Sequence, residues 1–128
     1  DRQRQAVFFE GGRHAVTRSR LLASYGCPAT LSLIECRLET GRTHQIRVHM
    51  THIGHPLVGD PVYLRRTPAA ARSLDAPVRD ALLAFPRQAL HAASLGFRHP
   101  INGQALHFES PPPEDMAGLL SLLDGNAE

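Results

Sequence analysis

Polar and apolar positions interleave from Gln5 to Phe9 and again from His14 to Tyr25, with Gly11-Gly12 between the two runs. This pattern predicts a β-hairpin. From Thr30 to Leu38 the alternation continues, with Leu31, Leu33, Glu35 and Arg37 on one face and Ser32, Ile34, Cys36 and Leu38 on the other. That is the period of a strand with one apolar side. Gly26 and Pro28 separate it from its predecessor, so Val7 to Leu38 reads as an antiparallel meander.

Period two stops at Thr40-Gly41. Ile46, Met50 and Ile53 then fall at helical spacing, with Thr43 placed to cap the N-terminus, Gly54 to end the helix and Pro56 just beyond. The Pro-, Arg- and Ala-rich stretch from Thr67 to Pro77 is expected to be a surface insertion, followed by a short helix from Val78 to Phe85. Strands are expected at Leu90–Phe97 and Ala105–Phe108, joined by a turn through His99-Pro100-Ile101-Asn102-Gly103. Met116, Leu119, Leu120 and Leu123 then line one face of a terminal helix, Glu114 to Leu123, expected to pack on the sheet. Strands on either side of an embedded helix, without regular βαβ alternation, predict one α+β domain with a mainly antiparallel sheet.

Composition narrows the class. With 128 residues, 42% of them hydrophobic and 20% charged, the chain is long enough for one real core and ordinary for a globular protein. No apolar run approaches the roughly 20 residues that cross a bilayer, so no membrane partner is expected. The Asp1-Arg2-Gln3-Arg4-Gln5 start has neither an initiator Met nor a secretory pattern and reads as a cut inside a longer chain. Cys27 and Cys36 are too few for a disulfide framework or a CxxC site, which fits reduced thiols in the cytoplasm. All fourteen basic side chains are Arg, each a planar fork suited to phosphate or carboxylate. A GC-rich genome replacing Lys codons accounts for most of that bias, so each Arg is judged by its position.

The informative stretch runs from Leu38 to Asp60. A strand that passes through a Gly into a helix N-terminus makes an anion site, because free backbone N–H groups and the helix dipole point outward together. Arg42, Thr43, His44 and Gln45 surround that point with donors for an anion; a polar helix start is also ordinary. Arg47 lies off the apolar stripe, and if partly buried it would need a carboxylate partner. Taken alone, it reads first as a helix-surface arginine in an exposed ion pair. Asp60, after Pro56-Leu57-Val58-Gly59, reads as a turn residue bonding nearby amides, with no catalytic role. His44, His49, His52 and His55 invite a metal reading, but HExxH is missing and the spacings make no closed zinc site, so no metal ligand is assigned. His91 reads as a hydrogen-bonded wall residue.

Here a resemblance becomes specific. The run GRTHQIRVHM, followed by IGHPLVGDPVY, is similar to the third motif of the RluA/RluD family of pseudouridine synthases and its continuation; LHAASLGFRHP and FESPPPEDM resemble that family's closing segment. Together they cover most of the chain from Ala15 to Met116, with residues 65–87 outside the match. The resemblance implies the pseudouridine synthase fold, a bent, mostly antiparallel sheet with flanking helices and a central cleft. It also implies cofactor-free isomerisation of uridine in RNA, most simply ribosomal RNA, with Arg42, Thr43, His44 and Gln45 as candidate RNA contacts. An aspartate attacks, the N-glycosidic bond breaks, the uracil turns and a carbon–carbon bond forms on a base flipped from its stack. Arg47 matches the arginine that pairs with that aspartate, a pairing that keeps a nucleophilic carboxylate ionised in a dry cleft. The aspartate itself belongs to an HRLD-type motif, and none of Asp1, Asp60, Asp75, Asp80, Asp115 or Asp124 follows His-Arg-Leu. The resemblance assigns the family's active-site tyrosine to neither Tyr25 nor Tyr63. The chain is thus expected to be the C-terminal portion of a catalytic domain, inactive alone, and prone to self-association or to pairing with the N-terminal portion. The alternative is a non-catalytic RNA-binding module.

Overall fold

A computed structural model describes residues 3–10, 13–26, 30–40, 44–64 and 69–125. Its first three strands, β1 (Gln3–Glu10), β2 (Arg13–Tyr25) and β3 (Leu31–Leu38), form the expected antiparallel meander in the order β1-β2-β3. Val7 lies opposite Val16, and Arg20 opposite Glu35.

One irregularity organises this sheet. Leu21 pairs with Ile34 but Ala23 with Leu33, so Leu22 is an extra residue on β2, a β-bulge. Beyond it the strand's alternation is inverted. The register therefore puts Ala23 and Tyr25 on the face of Leu31 and Leu33, and Leu21 on the other face with Ile34. Without the extra residue, strict alternation would send Tyr25 away from the core.

That apolar end of the sheet is covered by helices. Tyr25 joins Ala71, Leu74, Val78, Leu82, Leu119 and Leu123 in the buried cluster, with Ala23, Leu31 and Leu33 packed against it. Val78 and Leu82 come from α2 (Ala76–Leu83), and Leu119 and Leu123 from α3 (Glu114–Asp124). The terminal helix thus packs on α2 as well as on the sheet. Ala71 and Leu74 correct the expected surface insertion: a 3-10 turn over Ala69–Ser73 brings both into the buried cluster with Tyr25, Val78 and Leu82, where their apolar side chains leave water. At the other end of the same face, Glu35 forms ion pairs with Arg20 and Arg37, and Arg18 pairs with Glu39 at the surface.

Helix α1 (Gln45–His52) follows β3. It ends as expected at Gly54, with φ of 87°. The Gly54 and His55 amides donate to the carbonyls of Thr51 and Met50, which makes a Schellman motif. The apolar stripe is not what holds it. Met50 is buried, but Ile53 is exposed, and the remaining buried residues are Gln45, Arg47 and His49. Gln45 and Arg47 stand on nearly opposite sides of a helix, so α1 is gripped from two directions by polar contacts.

The last strands, β4 (Ser94–Arg98) and β5 (Ala105–Glu109), pair antiparallel as a separate two-stranded sheet, where a single sheet was expected. The His99–Gly103 turn closes them, with Gly103 at φ of 71° and its amide donating to the His99 carbonyl. Helices and antiparallel strands in separate stretches make this an α+β protein.

Candidate active site

The chain leaves β3 through Glu39 and Thr40, and two contacts fasten it to β2 before α1 begins. The Glu39 amide donates to the Val16 carbonyl, and the Val16 amide donates to the Thr40 hydroxyl. Thr40 in turn donates to the Gln45 side-chain oxygen at 2.9 Å, while the Gln45 amide group donates to the Val16 carbonyl (2.8 Å) and to the Thr17 hydroxyl (3.0 Å). Gln45 is 3% exposed, so its side chain anchors α1 to β2 and is spent inside the protein. His44, just before it, is exposed and takes the left-handed conformation at φ of 51°, which turns the chain into the helix. Arg42 and Thr43, including the expected Thr43 cap, lie outside the described residues.

Arg47 leaves the opposite side of α1 and is buried, as is its partner Asp60. Its Nε donates to Asp60 Oδ2 at 2.8 Å and its Nη2 to Oδ1 at 2.9 Å, a bidentate fork. The carboxylate is itself held by its own turn, accepting the Val62 amide at 3.0 Å and the Tyr63 amide at 3.1 Å on Oδ1. The fork and these amides pull the Asp60 carboxyl down from its ordinary 3.8 to about 2 despite burial. Its hydrogen bond to Asp60 moves the Arg47 guanidinium upward, so both groups are ions at neutral pH. Tyr63 completes the arrangement. Its ring centroid lies 5.2 Å from the guanidinium carbon, and its hydroxyl lies 3.3 Å from His44 Nδ1.

Gly59 sets the Asp60 turn in place. It has φ of 74°, and a Cβ there would stand 2.1 Å from the Arg87 carbonyl oxygen, so only glycine lets this turn pass under residues 87–89. The Ala89 amide donates to the Val58 carbonyl beside it.

An open recess of about 160 Å³ adjoins the site, lined by Leu38, His44, Gln45, Ile46, Arg47 and Leu90. It is mostly apolar, with the Arg47 cation in its wall, a surface suited to a planar base or to a second carboxylate brought against the guanidinium. Among the described residues, no three of His, Cys, Asp and Glu converge as a metal site would require.

The matches among known proteins fall on these same residues. A profile of the RNA pseudouridylate synthase family matches residues 1–52, which include β1 to β3 and α1. A ribosomal large subunit pseudouridine synthase D from Zymomonas mobilis is 50% identical over 124 residues, covering 96% of this chain and 36% of that protein. The Pseudomonas aeruginosa protein of the same name is 48% identical over 130 residues (99% of this chain, 38% of that protein), and the one from Escherichia coli 45% over 117 (91% and 35%). The chain is thus similar to pseudouridine synthases over nearly its whole length. It spans about a third of the length of these relatives.

The Arg47–Asp60 pair is what sequence reasoning missed. The helix-surface reading of Arg47 is overturned, because the side chain is buried and a buried arginine needs a carboxylate. Asp60 bonds its own turn's amides as expected, and it also supplies that carboxylate. The available signal was the pairing of those two demands thirteen residues apart, but only the path of the chain through Gly54 and Gly59 brings them together.

Proposed function

We propose that the protein carrying this chain isomerises uridine to pseudouridine in RNA, ribosomal RNA in keeping with the relatives' names, and that the chain is the C-terminal portion of its catalytic domain, in the bent-sheet pseudouridine synthase fold. The observation that supports this best is a buried, fork-held Arg47 in the wall of an apolar recess, inside the stretch that the family profile matches.

In this reading Arg47 is the catalytic residue of the chain. The edge of its guanidinium that carries Nη1 lies away from the Nε–Nη2 fork, and a planar fork can accept a carboxylate on each edge. A nucleophilic aspartate supplied from outside this sequence would be kept ionised and oriented there, ready to attack a flipped uridine seated in the recess. Exposed His44, with Arg42 and Thr43, would contact the RNA backbone, while buried Gln45 anchors α1 to β2. No cofactor is required by an isomerisation of this kind. The setting is the cytoplasm; among the described residues no helix is long and apolar enough to cross a membrane.

The test is uridine isomerisation by the full-length protein on ribosomal RNA. Arg47→Ala is expected to lower kcat by at least 10²-fold, the size of effect that loss of one aligned electrostatic group produces, about 10² to 10³. Normal turnover by that variant would overturn the assignment, and RNA binding without turnover by the wild-type full-length protein would favour a non-catalytic RNA-binding module.

A further inference from the structure

We infer that Asp60 is a positioning residue for the reaction: it acts through Arg47, holding the guanidinium by one edge so that the other is presented to the nucleophilic carboxylate. This rests on the reading of Arg47 above, and adds to it a residue that never meets the substrate.

Geometry carries the inference. Three things fix the guanidinium: the two-bond fork to Asp60 along the Nε–Nη2 edge, the Tyr63 ring 5.2 Å from its carbon, and the burial of the whole side chain. Asp60 in turn does not move freely, because the Val62 and Tyr63 amides hold Oδ1 and Gly59 seats the turn beneath the Arg87 carbonyl. Arg47 lines the recess and Asp60 does not. Stability alone is a weak reason for such a pair, since taking two charges out of water consumes most of what their attraction returns. What a pair of this kind does supply is a single orientation of a group with many rotamers, and a reacting group misplaced by about 1 Å can cost roughly 10²-fold in rate.

Full-length protein carrying Asp60→Asn, Asp60→Glu, Arg47→Lys and the double variant Arg47→Lys/Asp60→Asn tests this, with kcat and KM measured on ribosomal RNA and folding checked by circular dichroism. Asp60→Asn is expected to lower kcat about 10²-fold with KM nearly unchanged. Asp60→Glu, which keeps the charge, should recover part of that loss. The double variant should be no slower than Arg47→Lys, because a residue that acts only through Arg47 has nothing left to orient. If Asp60→Asn does not fold, Asp60→Glu carries the test: a folded variant with lowered kcat and steady KM supports the role, and one with wild-type kcat overturns it. A loss confined to KM, or one that adds to that of Arg47→Lys, also overturns it. Normal activity in Arg47→Ala would remove the parent reading and this one together, whereas an inactive Arg47→Ala beside a fully active Asp60→Asn would remove only this one.

Discussion

Asp60 shows how one residue can hold a site while staying out of it. Its carboxyl is pulled to about 2 by the Arg47 fork and the two turn amides. A group whose folded pKa lies below its unfolded value contributes stability that is fully present above the unfolded value and is lost as pH falls through the folded one. For Asp60 that window runs from 3.8 down to about 2. Acid melts of the full-length protein, followed by circular dichroism because this chain has no Trp, should show melting temperature falling across this window. In Asp60→Ala the same window should flatten, since the titrating group is gone. At neutral pH that variant should lose about 3 to 5 kcal/mol, the cost of leaving Arg47 buried without its counter-ion. A wild-type acid profile in Asp60→Ala would show that the pair is not coupled to folding.

At the scale of the element, α1 is a short helix that its own sequence barely supports. It has no side-chain cap and no acidic residue in its first turn. An isolated helix of eight residues does not persist in water, so its stability comes from the polar grips of Gln45 on β2 and Asp60 on Arg47. Gln45→Leu would put an apolar side chain against the Val16 carbonyl and the Thr40 and Thr17 hydroxyls, removing one buried hydrogen bond from each at a total of about 1 to 3 kcal/mol. Amide exchange in 46–52 is expected to quicken while that of β2 and β3 stays near wild type. Equal quickening across all of them would mean that the anchor is not local to α1. Much of this element was legible. Its place after β3 and its end at Gly54 follow from local chemistry, as does the rule that Arg47 needs a carboxylate once it is buried. The polar inward faces were not legible, because helical periodicity reports where apolar residues recur and is silent about polar groups that find partners far along the chain.

At the scale of the whole molecule, the two sheets and three α-helices among the described residues leave considerable apolar surface in water. Leu95, Phe97 and Phe108 on β4 and β5 are each exposed, and Ile101 in their turn is 90% exposed. Phe97 and Phe108 stack at 5.9 Å between ring centroids, so part of this surface forms one contiguous patch. A two-stranded sheet with an aromatic face open to water is marginal by itself and invites another chain. The chain expressed alone is therefore expected to self-associate, as size-exclusion chromatography with light scattering would register, and Phe97→Ser with Phe108→Ser should reduce that association. A monodisperse wild-type monomer would count against it.

By itself the sequence determined the meander, the helix that follows it, the hairpin near the end and the family resemblance, because alternation, turn residues and a long ordered motif are local properties that one chain states directly. Tertiary structure alone decided the rest. The bulge at Leu22 chose which face Tyr25 would bury, the space beside α2 drew Ala71 and Leu74 inward, and the path through Gly54 and Gly59 brought Asp60 against Arg47. Each of these depends on groups distant in sequence competing for the same partners and the same space, which no local pattern encodes.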